Sequence, residues 1–222
     1  MPFVFILLWI LYPKYNHPPA YQLGVFNFEK QLDNITCGPV SVLMVLKFYG
    51  INTNLDEVKI KTKTEWFKWR GEEIGTTTPY YIVSAIKQYG LNAELRVGNL
   101  KEIKYYVSQG KPVIVLLRSG KLLWHYVVVI GYDEHSIHIA DPGSGKEKKM
   151  PIEVFIGSWS FKTDMDGNSV STPCSVCGGT GQIFPTILGK CDVCGGTGIK
   201  DDLILYLIKA AGIKPYTYFE VH

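Results

Sequence analysis

The sequence predicts an α+β fold in which a helical lobe packs on an antiparallel sheet, with a small cysteine-rich insertion. Three observations predict it. Hydrophobic periodicity is helical in the first half of the chain and changes to short β-branched runs in the second. Hydrophobic residues make up 46% and charged residues 19% of the 222 residues, enough for one substantial core and too apolar for a disordered chain. From Lys162 to Lys200 large apolar residues thin out in favour of Gly, Ser, Thr, Asp and Cys, and a stretch of that kind needs a staple other than a core. The expected organisation is an apolar arm and linker over 1–22, a main domain built from 23–162 plus 201–222, and a four-cysteine hairpin over 163–200.

Taken in order, Phe3 to Tyr12 is continuously apolar and too short to cross a bilayer, which takes about 20 residues. A hydrophobic arm packed on the domain and a membrane-dipping or secretory segment are both open readings. A Pro/Tyr/Asn linker follows over 13–22. Residues 37–50 read as a helix, with Gly38 and Pro39 in its first turn and Gly50 at its C-terminal end. It is apolar nearly all round, which marks a buried helix. Leu55 to about Lys63 reads as a short helix, "GEEIGTTT" as a loop, and Pro79 to Tyr89 as a helix with Thr78 as N-cap. "NAELRV" reads as a strand and "NLKEIKYYVSQG" as an amphipathic helix. "PVIVLLR", "HYVVVIGYD" and "SIHIADP" read as strands, "MPIEVFIGSW" as a helix, and "LILYLI" at 203–208 as a strand returning to the sheet, with a helix as the alternative.

The net charge of +3 is too small to suggest nucleic acid, and no such partner is expected. The five cysteines divide unequally: Cys37 stands alone, and Cys174, Cys177, Cys191 and Cys194 share a 21-residue window. A nucleophilic thiol needs a base, a group to orient that base, and donors for an oxyanion. Cys37 opens the predicted buried helix, whose N-terminus favours an anion. His125 opens one strand and Asp141 closes the next. A hairpin turning near Asp133 places them roughly opposite one another, on one face, as an orienting pair. Gln31 lies shortly before the helix, where a side-chain amide can donate to an oxyanion together with a backbone N–H. Each residue also has a plain reading: a buried cysteine, a structural histidine, an Asp-Pro-Gly turn. Their joint order and spacing is what points to chemistry.

The clustered cysteines lie in two copies of C-x-V-C-G-G-T-G, at 174–181 and 191–198. Four thiolates at this spacing suit one tetrahedral, structural Zn²⁺, with two disulfides, free thiols or a redox pair as alternatives. The unit resembles the C-x-x-C-x-G-x-G repeat of DnaJ-type chaperones. Two copies imply one zinc, with a protein partner docking at the hairpin as one role for it.

"QLDNITCGPVSVLMVLKFYG", "GKPVIVLL" and "WHYVVVIGYDEHSIHIADPGSG" resemble the papain-like peptidases that process double-glycine leader peptides of bacteriocins, and more broadly the stand-alone peptidase C39-like domains. The resemblance covers about residues 23–160, together with 201–210. It implies a papain-like fold and a cysteine peptidase acting on a peptide or leader-peptide bond, with Cys37 as nucleophile, His125 as base, Asp141 as orienter and Gln31 as oxyanion donor. Two other readings stay open: acyl transfer by the same thioester chemistry, and a catalytically degenerate scaffold that binds a partner through the zinc hairpin. Reduced zinc thiolates and a reactive thiol point to the cytoplasm, while the apolar N-terminus points to a membrane-associated or secreted protein.

Overall fold

A computed structural model describes residues 15–69, 72–120, 123–169 and 216–222. Seven of its strands form one antiparallel sheet: β1 (Tyr21–Gln22), β4 (Ala93–Val97), β5 (Val113–Arg118), β6 (Trp124–Tyr132), β7 (Ser136–Asp141), β8 (Lys146–Pro151) and β9 (Thr217–Val221), in the order β4-β9-β5-β6-β7-β8 with β1 pairing β6. β1 takes over beside Gly131 and Tyr132, beyond the point where β5 leaves off against Val129. A separate hairpin joins β2 (Glu65–Trp69) to β3 (Glu72–Thr76). The helices are α1 (Cys37–Phe48), α2 (Leu55–Lys61), α3 (Pro79–Gln88), α4 (Leu100–Ser108) and α5 (Ile152–Trp159).

The helical lobe is α1 to α3, packed on one another, and α1 lies against β6. α4 packs on β5 and β6, and α5 on β5, β7 and β8. Val127, Val128, Val129 and Ile130 are all fully buried. Because successive strand residues point to opposite faces, β6 is covered on both sides and forms the centre of the core. This explains why its sequence is a continuous apolar run and not an alternating one.

Local chemistry sets the helix ends. Asn54 and Asn99 cap α2 and α4 by accepting the N–H of Glu57 and Glu102 at 3.0 and 3.2 Å. Thr78 occupies the N-cap of α3 in extended conformation but makes no side-chain cap bond, and Pro79 begins the helix. Gly50 follows α1 at φ +76°, the left-handed conformation that ends a helix at low cost.

The structure corrects two local expectations and adds a strand that the sequence reading did not assign. "GEEIGTTT" is not a loop, because Glu72 to Thr76 pair with Trp69 to Glu65 in register; Gly75 is accommodated within the ladder opposite Trp66. "KEKKMP" is a strand although its only large apolar residue, Met150, is also its only buried one. Lysines mark it as an edge strand that discourages further pairing. Consequently α5 begins at Ile152, since Met150 and Pro151 belong to β8.

The C-terminal end of the chain is part of the sheet. β9 lies between β4 and β5, and its five residues are all buried. Trp159 at the end of α5 anchors its start, donating Nε1–H to the Thr217 carbonyl at 2.8 Å. The segment 203–208 and the cysteines at 174, 177, 191 and 194 lie outside the described residues, as does the apolar stretch 3–12. Among the described residues no helix is long and apolar enough to cross a membrane.

Candidate active site

Cys37 is the first residue of α1, buried and unpaired by any disulfide. Ten consecutive residues from Cys37 to Leu46 are buried, so the core holds this helix along its whole circumference and fixes where its N-terminus points. Gly38 is in tight contact with Thr77: a Cβ at position 38 would lie 3.0 Å from the Thr77 Cβ. Tyr126 closes the same region from the sheet, donating its hydroxyl to the Thr77 carbonyl at 2.9 Å. Burial first, and then the charge of Cys37, pushes the Tyr126 phenol well above its ordinary pKa, so it stays a neutral donor.

His125 and Asp141 meet as an ion pair, with Nε2 and Oδ1 2.6 Å apart and both side chains largely buried. They are not direct cross-strand partners. Val128 pairs with Ala140 and Val129 with Ile139, whereas Gly131 pairs with His138, so Ile130 is a bulge. Extending the register one step sets Asp141 opposite Val127, two residues along from His125. His125 and Asp141 therefore share a face as diagonal neighbours, and the length of the imidazole spans the offset.

With Nε2 engaged by a carboxylate, that nitrogen carries a proton and Nδ1 is the ring nitrogen left for the Cys37 thiol. Burial alone disfavours the imidazolium, but the bonds to Asp141 and Cys37 and the charges of both outweigh it, and the His125 pKa is pushed up to about 9. For Asp141, burial acts to raise the pKa. The bond and charge of His125, with bonds from Gly143 N–H and Ser144, prevail and hold the carboxyl below its ordinary range. Both partners are thus charged at neutral pH.

Gln31 reaches this region through its backbone, whose N–H donates to the Pro142 carbonyl at 2.9 Å. Its side-chain Nε2 donates to the Asp33 carbonyl at 2.6 Å, and its Oε1 is buried without a partner. Asp33 in turn folds the approach to α1: its Oδ1 accepts from Ile35 N–H, Thr36 N–H and Thr36 Oγ1 at 3.0, 2.8 and 2.7 Å. Cys37, His125 and Asp141 are brought together, and Gln31 is joined to the turn that follows Asp141. The Asp-Pro-Gly turn read from the sequence is present after Asp141, and its grip on the Gln31 segment was overlooked, as were Asp33 and Thr77. Among the described residues no cluster of three or more His, Cys, Asp or Glu could hold a metal.

A thiol at a helix start, an imidazole and a carboxylate in this order define a cysteine-hydrolase arrangement on a mixed α/β fold. Residues 25–164 match the Peptidase_C39 like family, a class of cysteine peptidases, and the chain belongs to that family. The transport/processing ATP-binding protein ComA of Streptococcus pneumoniae is 31% identical over 149 residues, covering 64% of this chain and 19% of ComA. An uncharacterized protein of Methanothermobacter thermautotrophicus is 28% identical over 131 residues, covering 58% of this chain and 82% of its own length. Among solved structures, the peptidase domain of Streptococcus ComA superposes with a TM-score of 0.50 at 30% identity, over 59% of this chain and 90% of that domain. A C39-like protein of Bacillus anthracis shares the fold with a TM-score of 0.55 at 22% identity, over 64% of this chain and 92% of its own.

Proposed function

We propose that the protein is a thiol peptidase that cleaves a peptide or leader-peptide bond through Cys37, His125 and Asp141, with Gln31 donating to the oxyanion. The observation that carries this reading is the 2.6 Å His125–Asp141 pair beside a free cysteine at a helix N-terminus. The Cys37 sulfur attacks the scissile carbonyl carbon, and the electron pair moves onto the carbonyl oxygen. The first-turn N–H groups of α1 have no carbonyl partner inside the helix and, with the free N–H of the Gln31 amide, stabilise that oxygen. His125 gives its proton to the leaving amine as the C–N bond breaks, leaving a thioester. It then takes a proton from water, whose oxygen replaces the sulfur and releases the acid. Asp141 stays ionised throughout and holds the imidazole in its working tautomer. An amine in place of water would make the same thioester a transfer intermediate.

The substrate class is supported by the ComA likeness, ComA being a transport and processing protein. The matched region is 19% of that protein, so transport itself is no part of the proposal. Cys174, Cys177, Cys191 and Cys194 would hold one structural zinc, supported by the duplicated C-x-V-C-G-G-T-G unit and its tetrahedral-site spacing. A peptide-library cleavage profile of the wild type against Cys37→Ala tests the function. Cleavage that depends on Cys37 supports it, and equal profiles overturn it.

A further inference from the structure

The turn that carries Asp141 also grips the segment that carries Gln31. Gly145 N–H donates to the Asp141 carbonyl at 2.8 Å and Gly143 N–H to its carboxylate at 2.9 Å, so the turn is closed on itself. From it, the Pro142 carbonyl receives the Gln31 N–H at 2.9 Å. Three residues on, Gly145 lies at φ +66° directly against Lys30. A Cβ added there would stand 2.7 Å from the Lys30 Cβ and 3.2 Å from its Cα. Lys30 and Gln31 are therefore seated by one hydrogen bond and one backbone contact that only glycine allows. Downstream, Asp33 fixes the other end of the loop through its three bonds to Ile35 and Thr36.

A loop clamped at both ends leaves the Gln31 amide little freedom. Nε2 must be the atom facing the Asp33 carbonyl, since two oxygens at 2.6 Å would repel. One N–H is spent there and the other is set in a fixed direction. We propose that Gly145 is a positioning residue for Gln31, so that one turn places both the acid of the triad and the oxyanion donor. This rests on the reading of Gln31 as that donor. A preorganised oxyanion donor is worth about 10²–10³ in rate, and displacement of its loop forfeits part of that.

The test separates acylation from alkylation. Acylation of Cys37 by p-nitrophenyl acetate passes through an oxyanion, whereas alkylation by iodoacetamide needs the Cys37–His125 pair and no oxyanion. Gly145→Asn tolerates the left-handed backbone while adding the Cβ. Lys30→Gly removes the opposing Cβ on an exposed residue and leaves the turn untouched. Both variants are expected to slow acylation roughly tenfold, on the scale of a misplaced catalytic group, with alkylation within about twofold. In a Gln31→Ala background neither should slow it further, because they act through Gln31. Multiplying effects, or alkylation falling in step with acylation, would overturn the positioning role alone. Unchanged acylation in Gln31→Ala itself would overturn the donor reading beneath it.

Discussion

His125 sits diagonally across the sheet from Asp141, and its ring bridges the offset with a 2.6 Å Nε2–Oδ1 contact. The bulge at Ile130 moves Asp141 from the register of Val128 to that of Val127 and so puts it on the same face as His125. A diagonal carboxylate meets the far nitrogen of the ring, so Nδ1 remains for Cys37. The side-on geometry thus sets the tautomer as well as the charge.

The first prediction concerns pH. The folded-state pKa of His125 is about 9 against an ordinary 6.5. A group whose pKa rises on folding contributes stability that is complete below its unfolded value and is lost as pH climbs through the folded one. The window is therefore roughly pH 6.5 to 9. Each tenfold in proton affinity corresponds to ~1.4 kcal/mol, so the term is on the order of 3 kcal/mol. Urea unfolding should show the wild type losing about that much more than His125→Gln between pH 6 and 10. Parallel curves would contradict it. Because Cys37 supplies part of the elevation, Cys37→Ala should bring the His125 pKa down in an NMR titration.

The second concerns reactivity. At pH 6.5 iodoacetamide should label Cys37 at least tenfold faster than it labels free cysteine, whose pKa is about 8.5. His125→Ala should remove the advantage, and Asp141→Asn should lose much of it, because an amide cannot neutralise the imidazolium. Identical labelling rates in the wild type and His125→Ala would exclude a working Cys37–His125 pair.

How far the site can be read in advance depends on the kind of interaction. Cys37 at a helix start and His125 and Asp141 on adjacent strands are legible, since local periodicity sets all three. Their register is not: a symmetric turn about Asp133 predicts direct opposition, whereas the hairpin turns at Glu134–His135 and the bulge at Ile130 shifts the pairing by one residue, so Asp141 falls opposite Val127. Nothing in "VVVIGY" announces a bulge except Gly131, which lies beside the Gln22 side chain. β8 is illegible for a different reason. An edge strand exposes most of its residues, so "KEKKMP" has almost no apolar alternation to read. The clamp between Gly145 and Lys30 joins residues more than a hundred positions apart, and a single sequence carries no sign of such contacts.

The third prediction is of metal content. The protein purified without chelator should carry one zinc per chain by elemental analysis, and Cys174→Ser should lose it, since three thiolates bind far more weakly than four. Alkylation of Cys37 should be unchanged in that variant, because a closed structural site takes no part in catalysis. Disulfides found by mass spectrometry, with a stoichiometry near zero, would replace the zinc reading with an oxidised one.

The last prediction tests whether the C-terminal strand belongs to the same cooperative unit as the site. Phe219 is fully buried, pairs with Leu95 on one side and Ile114 on the other, and its ring centroid is 5.9 Å from that of Tyr126. Tyr126 in turn holds the Thr77 carbonyl beside Gly38, next to Cys37 in the chain. Removing a buried phenylalanine costs about 3–5 kcal/mol through lost transfer energy and the cavity left behind. Phe219→Ala should therefore lower the unfolding free energy by that amount in a single transition. It should also slow Cys37 alkylation, because the cavity opens under the ring that seats Thr77, whereas Leu95→Ala on the half-exposed edge strand should do neither. A cost below about 1 kcal/mol would mean that β9 is a loosely attached strand, and the Tyr126 support of the site would have to come from β5 and α1 alone.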